Sequence, residues 1–380
     1  MSLLERLAAP GPKRILALDG GGVRGLITLG FLERLERLLR ERHGRPDLRL
    51  CDYFDLIGGT SVGSSMAAGL AFGMSVAELR EVSVDMLRVF HHKRWKRWHS
   101  IFSAEGLQAV LAKSFGDRAL DDPTIETGLC IVTKRADTRS TWPVTNHPNG
   151  RYFEHNRHIK VRDLVYASAA APFFFVPTRV EVGEGEVGAF VDGGVSMANN
   201  PALQFFLMAT LDGYPFHWKT GEDELLVVSI GTGTFERRDS VDKVMKARAW
   251  DWTREVPAMM IEDASSWNQL LLQALSRSPT SRVIDDEVGD LAGDLLVPEP
   301  VLSYLRYDAV MNASTAAEIG LPQLAARMGQ LQDMTNFDNR DLLFEIGRRF
   351  AERQVLAHHL SSAFDIGNVI GGLQSMRSAK

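Results

Sequence analysis

Short apolar runs and longer stretches with helical spacing alternate along the first 235 residues of this chain. The runs at 14–18, 53–57, 129–133, 173–181, 187–191 and 225–230 have the length and the bounding turn residues of strands. Between them, 25–42, 62–72, 76–90, 104–115, 161–170 and 200–211 carry apolar positions at helical spacing. Alternation of this kind, with glycine-rich turns from strand to helix, predicts an α/β fold: a three-layer α/β/α sandwich around a largely parallel central sheet. Beyond about residue 240 the pattern becomes mostly helical, over 241–276, 316–331 and 340–360. The expected organisation is a catalytic core over 14–235, with a helical region over 236–380 packed onto it.

Three of the predicted strand ends carry chemistry. After Tyr53–Ile57 comes Gly59-Thr60-Ser61-Val62-Gly63, a G-x-S-x-G run leading into the small-residue helix Ser64–Ala71. A reversal this sharp leaves no room for side chains at 59 and 63, and it exposes the Ser61 hydroxyl above the sheet at a helix N-terminus. Read alone, the pentapeptide suits a plain tight turn as well as a nucleophile. The strand Arg14–Leu18 runs into Asp19-Gly20-Gly21-Gly22-Val23-Arg24-Gly25. Consecutive glycines let backbone amides face open space, as an oxyanion hole requires, which marks Gly20, Gly21 and Gly22. The strand ending Phe190-Val191 delivers Asp192 onto Gly193-Gly194. That carboxylate is the natural base for Ser61, although an Asp capping the Gly193-Gly194 turn has the same pattern. Gly20, Gly22 and Gly25 also fit G-x-G-x-x-G, but the acidic residue that a dinucleotide site places at the end of a second strand is missing.

In this order, D-G-G-G-x-R-G, G-x-S-x-G and D-G-G, the three stretches resemble the signatures of the patatin-like phospholipases. Ala167–Pro172, Asn199-Asn200-Pro201 and Leu226–Thr234 resemble further parts of that family, so the likeness spans about residues 14–235; Tyr304–Asp308 is similar to bacterial members. The resemblance implies a serine lipid acyl hydrolase with a Ser61–Asp192 dyad, no histidine and no cofactor, acting on a phospholipid or other acyl lipid. It leaves open a thioesterase or acyltransferase on the same scaffold. It also leaves open a nucleotide-regulated membrane-degrading effector, as some bacterial relatives are, although no motif marks a nucleotide pocket. A triad would need a histidine after Asp192, and His217, His358 and His359 each read better as surface or packing residues. Arg24 suits either a lipid phosphate or a carboxylate that ties the loop down.

Composition narrows the field further. The 380 residues are 45% hydrophobic and 24% charged, and a net charge of −5 excludes a globally basic nucleic-acid binder. Two cysteines, Cys51 and Cys130, in apolar surroundings do not make a disulfide framework. No histidine–cysteine spacing fits zinc, and no acidic loop fits calcium. Met1–Lys13 lacks a signal-peptide core, and no run approaches the ~18 apolar residues of a membrane span. A cytoplasmic protein is expected, with peripheral membrane contact through Lys93, Arg94, Trp95, Lys96, Arg97 and Trp98, where cations alternate with rings suited to headgroup level.

Overall fold

The computed structural model describes residues 2–91, 101–183, 185–236, 239–291 and 293–367. The Lys93–Trp98 cluster lies outside the described residues. The strands are β1 Lys13–Leu18, β2 Leu56–Thr60, β3 Gly128–Arg135, β4 Ser140–Thr145, β5 Thr178–Glu181, β6 Val187–Asp192, β7 Leu225–Ile230, β8 Thr234–Phe235, β9 Ser276–Arg277, β10 Leu302–Tyr307 and β11 Val310–Met311. Helices α1 Leu3–Ala8, α2 Gly25–His43, α3 Leu50–Tyr53, α4 Val62–Ala71, α5 Val76–Leu87, α6 Ala104–Phe115 and α7 Phe153–Asn156 occupy the first half. They are followed by α8 Val161–Ala169, α9 Ala202–Thr210, α10 Val241–Met245, α11 Ala249–Leu275, α12 Ala313–Glu318, α13 Met328–Leu331 and α14 Arg340–Gln354.

The central sheet has the order β5-β6-β3-β2-β1-β7-β10-β9, and β4 pairs with β3. From β3 through β9 the strands are parallel, whereas β4 and β6 run antiparallel to β3. Successive β1 side chains point to opposite faces, as the pleat requires. Leu16 and Leu18 enter a core shared with α2, α4 and α14, while Ile15 and Ala17 join Phe205 and Leu272 on the other side. Both faces are thus covered, which is why Ile15–Leu18 of β1 and Leu225–Val228 of β7 read as unbroken apolar runs. The architecture is the α/β sandwich that the alternation predicts. Among the described residues no helix is long and apolar enough to cross a membrane.

Local departures have local causes. The run at 53–57 is displaced: Asp52 accepts from the Arg49 amide at 2.9 Å and closes the helical turn α3, so β2 starts at Leu56. Of the run at 173–181, only Thr178–Glu181 is a strand. Phe173 has φ +71°, and the Phe173 and Phe174 carbonyls instead accept the amides of Ile101 and Phe102. The helix expected over 340–360 ends at Gln354, and His358 and His359 sit in a short 3-10 turn. The largest departure lies in the helical tail, which supplies β10, a buried strand inside the main sheet beside β7.

Candidate active site

The edge of β3 brings Ser61 and Asp192 together. Thr60, the last residue of β2, pairs with Val132, and Asp192, the last residue of β6, pairs with Thr133. Two strands that share one edge in succession therefore end side by side, across 131 residues of sequence. Ser61 follows Thr60 as the cap of α4 with φ 54° and ψ −126°, a conformation that costs a non-glycine residue on the order of 1–3 kcal/mol. The surroundings hold it there. A Cβ on Gly59 would run into the Gly63 carbonyl, and one on Gly63 into the Leu18 carbonyl, so the elbow requires both glycines. The Ser61 amide donates to Ser168 Oγ at 2.8 Å, and that hydroxyl donates to the Val132 carbonyl at 2.6 Å.

Ser61 Oγ donates to Asp192 Oδ2 at 2.7 Å, while Oδ1 accepts the Gly194 amide at 2.7 Å. The turn-capping and base-like arrangements thus coexist, one on each carboxylate oxygen. Asp192 is 5% exposed, and among the described residues no cation pairs with it. Burial pushes its carboxyl up to about 6, although the bonds from Gly194 and Ser61 pull the other way. Gly193 and Gly194 form the 3-10 turn beyond it, and a Cβ on Gly193 would strike the Val132 carbonyl.

The glycine loop faces this pair, but not as three equivalent donors. The Gly20 amide donates to the Asn199 carbonyl at 3.1 Å and is already engaged. Gly20 provides close approach instead, since a Cβ there would sit 3.2 Å from Ser61 Cβ. The amides of Gly21 and Gly22 make no hydrogen bond among the described residues. Gly22 has φ +56° and leaves no room for a Cβ against the Met334 carbonyl, which accepts the Val23 amide at 2.8 Å. A Cβ on Gly21 would meet the Thr232 side chain, whose Oγ1 donates to the Gly20 carbonyl at 3.0 Å. Gly25 opens α2, close against Val62.

Asp19, directly before the glycines, is anchored from the far end of the chain. Arg306 of β10 donates to both its oxygens, at 2.9 and 2.7 Å, and to Ser229 Oγ at 2.7 Å. Burial pushes Asp19 up to about 6 against the pull of Arg306. Burial works against the Arg306 charge too, yet Asp19 and Asp308 outweigh it and hold the guanidinium above its ordinary value. Asp308 accepts the amides of Gly233 and Ala309 and the Thr234 hydroxyl, with Arg282 Nη1 at 3.6 Å. Sequence reasoning missed Ser168, Asn199, Thr232 and Arg306 as residues of this site, although Tyr304–Asp308 was visible as a motif.

Arg24 ties the loop to no carboxylate among the described residues. Its guanidinium lies 5.6 Å over the Phe235 ring, with Nε buried and unpartnered, and burial lowers its pKa. His217 is largely exposed and faces Asp212 at 3.8 Å, while His359 Nδ1 is 3.2 Å from the Tyr307 hydroxyl. Among the described hydrogen bonds and ion pairs, none joins these histidines to Ser61 or Asp192.

The chain as a whole has relatives among known proteins. A family model described as patatin-like phospholipase matches residues 16–206. The chain belongs to the patatin-like phospholipase family, and membership supports a lipid acyl hydrolase activity. It is 29% identical over 348 residues to a cGAMP-activated phospholipase of Escherichia coli (strain TW11681), covering 87% of this chain and 91% of that protein. A cGAMP-activated phospholipase of Vibrio cholerae serotype O1 is 33% identical over 202 residues, which is 50% of this chain and 56% of that protein's length. Patatin-T5 of Solanum tuberosum is 26% identical over 361 residues, covering 89% of this chain and 88% of that protein.

Proposed function

We propose that the protein is a serine lipid acyl hydrolase of the phospholipase A type, cleaving carboxylic ester bonds of glycerolipids. The observation that carries this reading is the 2.7 Å bond from Ser61 Oγ to a buried carboxylate with no cationic partner among the described residues. Asp192 takes the hydroxyl proton as Oγ attacks the ester carbonyl. The amides of Gly21 and Gly22 receive the charge that develops on the carbonyl oxygen, and preorganised donors of this kind need no rearrangement during the step. Collapse expels the alcohol, which takes the proton back from Asp192, and leaves an acyl-Ser61 ester. Water, deprotonated by Asp192, then releases the fatty acid. A carboxylate near its ordinary pKa of 3.9 is a weak base for a hydroxyl, and burial to about 6 narrows that gap. Fluorophosphonate labelling with peptide mapping tests the assignment: modification at Ser61 is expected, and modification elsewhere overturns it.

A regulated form of the same activity is a second reading, supported by the 29% identity across 91% of a cGAMP-activated relative. Lipase rate measured with and without cyclic dinucleotides separates the two. A rate that is negligible alone and rises with nucleotide favours the regulated enzyme, and a constant rate excludes it.

A further inference from the structure

Among the described residues, the uncovered apolar surface is concentrated in one segment. Of the 19 large hydrophobic side chains exposed among the described residues, nine lie between Val241 and Trp267, on α10 and α11. Helix α11 has one face in the fold, where Ala264, Asn268 and Leu272 recur at i, i+4 and i+8 and are buried. A second face carries Trp252, Val256, Met259, Met260 and Trp267 at i, i+4, i+7, i+8 and i+15, each 40–65% exposed. Asp263 shares that register as its one charge. An ordinary surface helix places polar residues on such a face, and a contiguous exposed apolar patch marks an interaction site.

Helix α11 is tied to the loop beyond Asp192. Asn268 Nδ2 donates to the carbonyls of Met197 and Asn200, at 2.7 and 3.0 Å, and so binds α11 to the loop that leaves Asp192. Val195 and Met197 on that loop are themselves 43% and 64% exposed. Trp267, the last residue of the stripe, directly precedes the Asn268 that makes these bonds to the loop following the residue proposed to act as base. Indole rings and thioethers are the side chains that settle at the boundary between headgroups and acyl chains. Across residues 241–267 four cations face five carboxylates, so bulk charge supplies no attraction to an anionic surface.

We propose that α10 and the exposed face of α11 form the lipid-docking element of this enzyme, lying in the surface of a zwitterionic membrane with the stripe inserted. This rests on the reading of Ser61 and Asp192 as a lipid hydrolase. Burial of apolar area drives the docking, so it is insensitive to salt, unlike docking through the Lys93–Trp98 cluster.

The test uses the full chain and phosphatidylcholine vesicles. The double variant Met259→Glu/Met260→Glu should lose at least about tenfold in vesicle partition while hydrolysing a short soluble ester at the parent rate, and Met259→Gln should lose less. Ser61→Ala should partition like the parent. Tryptophan emission should be quenched by brominated acyl chains in the parent and not in the double variant. Unchanged partition in the double variant overturns the proposal. So does a parent oligomer that the double variant converts to monomers, seen by light scattering, with vesicle binding intact, because the stripe is then a contact between copies of this chain. If soluble-ester hydrolysis falls with partition in the glutamate variant, Met259→Gln decides, and a loss of ester hydrolysis there too overturns the proposal. A parent that binds vesicles yet hydrolyses the soluble ester neither with nor without cyclic dinucleotides refutes the hydrolase reading and leaves the docking element standing.

Discussion

Asp192 and Asp308 are equally hidden, at 5% and 4% exposure, yet the fold treats them oppositely. Beside Asp308 stand Arg306 and Arg282, and they hold its carboxyl below the usual range although burial alone would raise it. Beside Asp192 the described residues place only a serine hydroxyl and one amide, and burial prevails. The first carboxylate is satisfied on every side and braces the loop at Gly233; the second is kept short of compensation and so remains avid for a proton. One residue type thus titrates in opposite directions at these two positions, and the two guanidinium groups beside Asp308 make the difference between them.

Removing the uncompensated group should have the largest effect. Ser61→Ala is expected to abolish ester hydrolysis and fluorophosphonate labelling with the fold intact. Asp192→Asn should lower kcat by about 10²–10⁴-fold. His217→Ala serves as the control and should leave kcat unchanged; a crippled His217 variant would replace the dyad with a triad.

Breaking the compensated side should damage stability first. Arg306→Ala strands Asp19 and Asp308 in the interior, and losing one partner of a buried ion pair typically costs about 3–5 kcal/mol. Chemical denaturation should show that loss, and a variant as stable as the parent would mean that the network braces nothing. Within the loop, Gly21→Val should fold but lose about 10²–10³ in rate, because its side chain displaces Thr232 and turns an oxyanion amide out of line. A normal rate there would remove Gly21 from the oxyanion assignment.

The smallest effect is a dependence on pH. Folded Asp192 keeps its proton up to about 6, whereas an unfolded aspartate releases it near 3.9. Between those values the folded state binds more protons, so this group makes stability fall as pH rises through the window. Asp192→Asn should remove that fall and be more stable than the parent at pH 7, by on the order of 1–3 kcal/mol. Activity runs the other way: kcat/KM should drop about tenfold per pH unit below about 6. A limb that persists in the residual rate of Asp192→Asn would belong to Asp19 instead.

What could be read from the sequence follows the same division. Ser61, Asp192 and the glycines announce themselves because an elbow and an amide-lined loop tolerate few residue types, and within each of the three motifs those residues lie a few positions apart. Strand β10 is hidden because Ser303 and Arg306 interrupt its apolar pattern, and the partner that makes Arg306 tolerable inside a sheet is Asp19, 287 residues away. Pro143 conceals β4 in the same way; a missing amide costs nothing on an edge strand but looks like a break in the sequence. Gly20 appeared equivalent to its neighbours, and only the Asn199 carbonyl distinguishes it.

The Met334 carbonyl, bonded to Val23 and filling the space beside Gly22, has a consequence for how the protein comes to life on the ribosome. Ser61 and Asp192 are both synthesised by residue 192, but the glycine loop that faces them is closed by residue 334 and braced by residue 306. A fragment ending at residue 235 lacks the residues that clasp the loop bearing the proposed oxyanion amides, and it should resist fluorophosphonate. The hydrolase proposed here would in this way stay inactive until residue 334 has been made.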